Sequence, residues 1–181
     1  MLIEANKSAL LLIDVQEKLL PGVFENEKLV ASCQWLLGVA KLMDVPVLGS
    51  EQYPQGVGLT IGTLRDMLDD SDFVGKTHFS CADAPECSAR IDALDREQIV
   101  ICGMEAHVCV MQTALRLQAQ GKQVYVVSDA ISARNPADTA AAIERMREEG
   151  VKMVTREMVG FEWIGRSDAP QFKDFSMKFL R

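Results

Sequence analysis

The sequence predicts one α/β domain in which a six-stranded, mainly parallel β-sheet lies between two layers of helices. Short runs of apolar and β-branched residues alternate along the chain with segments whose apolar residues repeat every three or four positions. That alternation is typical of βαβ units, whose strands are parallel. The chain has 181 residues, 48% of them hydrophobic, which suffices for a full core. We expect residues 1–181 to form this single three-layer α/β/α domain.

The strands are predicted from the apolar runs. The run SALLLIDV (8–15) is apolar almost throughout, as expected for a strand that is buried on both faces of a sheet. Five further strands are predicted at 46–49, 73–76, 99–102, 124–128 and 151–154.

The helices are predicted from apolar spacing and from capping residues. In the stretch that begins at Asn26, residues Leu29, Cys33 and Leu36 repeat at three- and four-residue spacing. Further helices are predicted at 64–68, 85–94, 108–120, 136–149 and 170–180. The segments 51–60 and 157–168 are predicted as loops that form pocket walls. Four nearby aromatic residues fit either that pocket or the core: Phe24, Tyr53, Phe161 and Trp163.

The charge and the cysteine content exclude several functions. The formal net charge is −7 and the pI about 4.9, which argues against nucleic acids and anionic membranes as partners. The first twenty residues lack a basic segment, and no window approaches the roughly 18 apolar residues of a membrane span, so we expect a cytoplasmic protein. Five cysteines without C-x-x-C spacing indicate free thiols rather than a disulfide framework or a zinc site.

Three chemically reactive residues fall at predicted strand ends, where parallel sheets place their functional groups. Asp14 closes the first strand, Lys76 closes the third, and Cys109 follows the fourth at a helix start. Each alone has an ordinary explanation, as a helix cap, a surface lysine or a core cysteine. Together they supply a base, a cation and a nucleophile. A helix N-terminus and the Lys76 ammonium predict a depressed pKa for the Cys109 thiol.

Four motifs carry a resemblance to a known family. The stretches LLIDVQ (11–16), GKTHFS (75–80) and GMEAHVCVMQTA (103–114) resemble the isochorismatase-like hydrolases, a family of cysteine hydrolases that includes nicotinamidases. The stretch SEQYPQGVG (50–58) is most similar to the small isochorismatase-domain-containing proteins. The resemblance covers essentially the whole chain and implies an isochorismatase-like fold of Rossmann-like topology.

The resemblance also implies a site and a reaction. The family's catalytic triad falls on Asp14, Lys76 and Cys109. Its oxyanion hole falls on the backbone N–H groups of Glu105 and Cys109, with a cis peptide bond between Met104 and Glu105. The implied activity is that of an amidase that cleaves a C–N bond of a small amide through a thioester intermediate.

Family members commonly assemble as homo-oligomers, so the resemblance implies an oligomer here too. The C-terminal segment offers a weak additional reason, because its apolar residues predict an exposed aromatic face. These residues are Phe172, Phe175, Phe179 and Leu180.

Two departures from the family narrow the substrate. Nicotinamidases carry an Asp-x-His metal cluster after the second strand, whereas this chain has EQYP (51–54) there and only two histidines, His78 and His107. We therefore expect no metal site and no cofactor, which places nicotinamide itself in doubt. Members that cleave isochorismate lack the cysteine nucleophile, so Cys109 favours amide hydrolysis.

Three other interpretations compete. A papain-like pair would join Cys109 to His107 or His78, but it leaves Asp14 and Lys76 without a role. The glycines of GVGLTIG (56–62) resemble a nucleotide-binding loop only loosely. The third alternative is a catalytically silent family member that acts as an oligomeric scaffold or small-molecule binding protein.

Overall fold

Six parallel strands form one sheet in the computed structural model, which describes residues 1–180. In chain order the strands are Ser8–Ile13 (β1), Val47–Gln52 (β2), Phe73–Lys76 (β3), Gln98–Met104 (β4), Gln123–Ser132 (β5) and Lys152–Val154 (β6). They lie in the order β3-β2-β1-β4-β5-β6, and every neighbouring pair is parallel. The predicted fold class is confirmed, with parallel pairing throughout the sheet.

Helices cover both faces of the sheet. In chain order the α-helices are Asn26–Leu42 (α1), Pro54–Val57 (α2), Gly62–Arg65 (α3), Pro85–Ala93 (α4), Met111–Ala119 (α5), Pro136–Glu148 (α6), Arg156–Ile164 (α7) and Phe172–Phe179 (α8). A π-helical turn, Ala106–Val110, leads directly into α5. Within residues 1–180, no helix has the length and apolar character that crossing a membrane requires.

The central strand β1 is buried along its whole length because both of its faces pack against helices. Leu10 and Leu12 belong to the core cluster that includes residues of α1, α7 and α8. Leu11 and Ile13 belong to the cluster on the opposite face, which includes residues of α4, α5 and α6. The alternation follows from the two-residue period of a strand, and it explains the nearly continuous apolar run.

Helix α7 occupies most of the segment 157–168, which was predicted as a loop, so that prediction was wrong. Gly160 interrupts the apolar spacing of this helix, yet a side chain there would lie 2.7 Å from Trp35. The glycine therefore allows α7 to pack closely against α1. Because it breaks the apolar spacing, the helix could not be recognised from the sequence. Trp163 is buried in the core, and its ring N–H donates to Ser8 Oγ at 3.1 Å.

The aromatic face of α8 is covered by the chain itself. Phe175 is fully buried, and its ring centroid lies 5.9 Å from that of Trp35 and 5.3 Å from that of Phe161. Phe179 also contacts Trp35, at 5.7 Å between centroids. The expectation of an exposed aromatic face on this helix was therefore wrong, and it gives no reason for oligomer formation.

The strands β1 and β4 approach each other closely at their carboxyl ends. Gly103 pairs with Ile13 and has a φ of +120°. A Cβ atom on Gly103 would collide with the carbonyl oxygen of Ile13 and lie 2.7 Å from its nitrogen. Only glycine fits this position. Because it has no side chain, the segment that follows β1 can lie next to the segment that follows β4.

We expect Gly103→Ala to destabilise the fold severely, because it combines a backbone collision with an unfavourable φ. Gly121→Ala is the matched control: Gly121 also has a positive φ, +89°, but a Cβ there meets no atom within 4 Å. The control should lose about 1–2 kcal/mol of unfolding free energy, and Gly103→Ala clearly more, as measured by urea denaturation. Equal losses in the two variants would show that the close approach is not constrained.

Candidate active site

The structure brings the three candidate residues together at the carboxyl edge of the sheet. Asp14 follows β1, Lys76 ends β3, and Cys109 lies in the π-helical turn after β4. The side chain of Lys76 passes the end of β2 and places Nζ 2.7 Å from Asp14 Oδ2. The side chains of this ion pair are 0% and 1% exposed, and Cys109 is also buried.

The Lys76 ammonium is surrounded by oxygen atoms. It donates to Asp14 Oδ2 at 2.7 Å and to Gln52 Oε1 at 2.6 Å. It also donates to the carbonyl oxygens of His78 and Phe79, both at 3.1 Å. Burial by itself lowers the pKa of Lys76, but the attraction and hydrogen bond of the Asp14 carboxylate oppose it, and that pKa is raised above 10.5. The lysine is therefore a fixed positive charge.

Asp14 is held on both carboxylate oxygens. Ser50 Oγ donates to Oδ1 at 2.6 Å, while Lys76 donates to Oδ2. The backbone of Asp14 has a φ of 52°, so the chain turns out of β1 at this residue, and its N–H still donates to the Ser50 carbonyl at 3.1 Å. A carboxylate oxygen has two lone pairs, so each oxygen keeps acceptor capacity.

The thiol of Cys109 is protonated at rest. Burial and the Asp14 carboxylate raise its pKa well above the usual 9.0, and the opposing effect of the Lys76 ammonium is smaller. The predicted depression of this pKa was therefore wrong. The sequence revealed the lysine and the helix start, but not that the thiol would be desolvated beside a carboxylate.

Neither histidine is placed as a papain-like partner of Cys109. His107 lies with Nδ1 3.9 Å from Glu105 Oε2 and Nε2 3.8 Å from Asp138 Oδ2. His78 is exposed and contributes its backbone carbonyl to Lys76. The peptide bond between Met104 and Glu105 is cis, as the resemblance implied.

The last two residues of β2, Glu51 and Gln52, have their polar groups paired within the chain. The Glu51 carboxylate accepts hydrogen bonds from the Arg65 guanidinium and the Thr60 N–H, both at 2.7 Å. The neighbouring Gln52 contacts Lys76. Among residues 1–180, no three His, Cys, Asp or Glu side chains are grouped so that they could hold a metal ion.

An open cavity of about 480 Å³ lies beside β3. Its lining includes Tyr53, Gly75, Thr77 and His78, together with the start of α4 at Pro85. Of the four aromatic residues considered for a pocket, Tyr53 lines this cavity, Trp163 is in the core, and Phe24 and Phe161 are about half exposed.

Three polar residues of the site were not identified from the sequence: Gln16, Ser50 and Gln52. Ser50 binds Asp14, Gln52 binds Lys76, and Gln16 binds the backbone of Gln52. The available signal was their position, because each lies in or just beyond a strand that is buried on both faces. Polar side chains are costly there unless they are paired.

The fold and the site define a class of α/β hydrolases with a buried thiol beside a lysine–aspartate ion pair. The isochorismatase domain model matches residues 8–158, and the chain belongs to the isochorismatase family. Isochorismatase domain-containing protein 2A of Mus musculus is 37% identical over 168 residues, which are 92% of this chain and 80% of that protein. The Homo sapiens isochorismatase domain-containing protein 2 is 36% identical with the same coverage.

Solved structures show the same fold. A structure described as the MAR1 ribonuclease of Caenorhabditis elegans superimposes with a TM-score of 0.92 and 31% identity, covering 100% of this chain and 93% of that one. The YcaC gene product of Escherichia coli, described as an octameric hydrolase of unknown specificity, has a TM-score of 0.91 and 24% identity. The superposition covers 97% of this chain and 89% of the Escherichia coli chain. The resemblance inferred from the motifs is confirmed at the level of family and fold.

We expect alkylation of Cys109 by iodoacetamide to accelerate about tenfold per pH unit from about pH 6 to about pH 9. Thiols react as thiolates, and a raised pKa leaves the thiolate fraction rising across this whole range. Asp14→Asn should accelerate the reaction, because the carboxylate raises the pKa of Cys109, and Lys76→Met should slow it, because the ammonium lowers that pKa. Peptide mass spectrometry measures the rate.

Thermal unfolding of each variant is the control for loss of structure, since a destabilised protein would expose all five cysteines. Labelling of fully buried Cys33 reports such exposure in the same sample. A rate plateau near neutral pH, or the same direction of change in both variants, would contradict the charge arrangement.

Proposed function

We propose that the protein is a cysteine-dependent amidase that hydrolyses a C–N bond of a small amide through a thioester on Cys109. The proposal rests on one observation: a buried thiol lies beside a carboxylate that is held by a buried lysine. The carboxylate is a proton acceptor, and the lysine stabilises negative charge on either partner.

In the first step Asp14 takes the proton of the Cys109 thiol while the sulfur attacks the amide carbonyl carbon. A thiol of raised pKa gives a more nucleophilic thiolate than an acidic one does. The Lys76 ammonium stays protonated and attracts the charge as it moves from oxygen to sulfur. The thiolate thus forms during attack rather than beforehand.

The carbonyl oxygen becomes an oxyanion as the carbon turns tetrahedral. We assign its stabilisation to the backbone N–H groups of Glu105 and Cys109. When the intermediate collapses, the C–N bond breaks and the amine leaves with the proton that Asp14 had accepted. Asp14 then removes a proton from water as the water attacks the thioester. The C–S bond breaks, the acid departs, and Asp14 returns that proton to the sulfur, which restores the Cys109 thiol.

Two other functions are weighed against amide hydrolysis. The description of the nematode structure as a ribonuclease suggests RNA cleavage as one alternative. A net charge of −7 disfavours binding to a phosphate backbone. A silent scaffold or binding protein would not require a buried ion pair beside a thiol, since burying charges costs free energy. Amide hydrolysis uses all three groups.

A panel of small aliphatic and aromatic amides, assayed for ammonia or amine release, tests the proposal. For a turned-over amide, Cys109→Ala, Asp14→Asn and Lys76→Met should each lower kcat by about a thousandfold or more. Double variants should lose little beyond the single ones, because each group acts through the other two.

His107→Gln is the control variant and should retain most of the activity. Loss of activity in that variant with retention in Asp14→Asn would support a histidine base instead. Cleavage of an RNA oligonucleotide that depends on Cys109, without turnover of any amide, would replace the proposal with a nuclease.

We also expect a homo-oligomer, as proposed from the family resemblance. Tyr53, Phe79, Phe161 and Met177 are each more than two-fifths exposed, and such apolar side chains gain free energy when a partner copy buries them. Multi-angle light scattering at micromolar concentration should give a multiple of the 20.0 kDa chain mass. A mass near that of one chain would contradict the expectation.

A further inference from the structure

On the side that faces β1, the end of β2 is held by a side chain rather than by a strand, while its other side still pairs with β3. At Asp14 the chain turns out of β1, and the Asp14 carbonyl accepts from the N–H of Gln16. The buried Gln16 amide then bonds the backbone of Gln52 twice: its Oε1 accepts from the N–H at 2.7 Å, and its Nε2 donates to the carbonyl at 2.9 Å. Gln16 thereby replaces the next step of the β1–β2 ladder and fixes the position of Gln52.

The side chain of Gln52 is oriented by two hydrogen bonds, one that it donates and one that it accepts. Its Nε2 donates to the Thr77 carbonyl at 2.9 Å, which leaves Oε1 to accept from Lys76 Nζ at 2.6 Å. An ammonium has three N–H bonds. The two short contacts, to Gln52 and Asp14, occupy one N–H each, and the two carbonyls at 3.1 Å share the third.

Strand alternation separates the neutral and the charged residues of this segment. Ser50 and Gln52 have side chains on one face of β2, where they bind Asp14 and Lys76 respectively. Glu51 points to the opposite face and pairs with Arg65. The only acidic side chain on the Lys76 ammonium within the described chain is therefore Asp14.

We propose that Gln52 is a positioning residue, anchored by Gln16, that fixes the Lys76 ammonium through a neutral oxygen so that its charge acts on Asp14 and Cys109. The inference rests on the proposed function, in which Cys109 is the reacting thiol. A carboxylate in place of this amide would bind the ammonium equally closely but would compensate its charge. The thiolate of Cys109 would then be less stabilised.

Gln52→Glu tests this, because it adds a charge with little change in shape. It also removes the N–H that donates to Thr77, a loss that Gln52→Met shares without the added charge. Gln120→Glu is the matched control: it makes the same chemical change at an exposed position just after the end of α5. Iodoacetamide alkylation of Cys109 at several pH values between about 7 and 9 is the readout, so no substrate is needed. Gln52→Glu should be about tenfold slower at each pH, the equivalent of one pKa unit, and Gln120→Glu should match the wild type.

Gln52→Met is the second variant in case Gln52→Glu fails to fold. It removes the oxygen without adding charge, so the ammonium is less firmly placed, and we expect an intermediate rate, about threefold below wild type. Thermal unfolding verifies that each variant is folded. Wild-type rates in both Gln52 variants, or equal slowing in Gln120→Glu, would overturn the inference.

These outcomes separate the inference from the amidase proposal. If no amide is turned over but the Gln52 variants slow alkylation as described, the positioning role stands and the amidase proposal fails. If amides are hydrolysed through Cys109 but the Gln52 variants alkylate at the wild-type rate, only the positioning role fails.

Discussion

The buried ion pair between Lys76 and Asp14 is the interaction on which the organisation of the site depends. Its side chains are at most 1% exposed, and two charges in such surroundings are costly unless other hydrogen bonds complete their solvation. Ser50 and Gln52 supply part of that solvation, and two carbonyls from the chain after β3 supply the rest. The ends of β1, β2 and β3 are therefore fixed relative to one another by one pair of charges.

Such a pair is weak evidence for stability, but it suits a proton transfer inside the protein. At rest the charges of Lys76 and Asp14 cancel, and the Cys109 thiol is neutral. In the proposed reaction, transfer of the thiol proton to Asp14 moves the negative charge to sulfur while the positive charge stays in place. The total charge of the three groups does not change, so this step requires no new counter-ion and little reorganisation of the surroundings.

The sequence predicted the fold and the three residues that meet, because both depend on local patterns. Apolar runs indicated the strands, and the parallel order placed Asp14, Lys76 and Cys109 at one edge of the sheet. The ionisation of Cys109 could not be predicted, since it depends on the depth of burial and on the distance to a carboxylate from a distant part of the chain. The contact of Gln52 with Lys76 was missed for a similar reason, because it requires the register between β2 and β3.

The same register explains how the chain departs from the metal-binding members of its family. A carboxylate is present near the end of β2, but Glu51 points away from the site, and its Oε1 accepts from both Arg65 and Thr60. The residue that faces the site is Gln52, whose amide is held by Thr77 and Lys76. At the end of β2, where nicotinamidases carry metal ligands, this chain thus has a glutamine that holds Lys76.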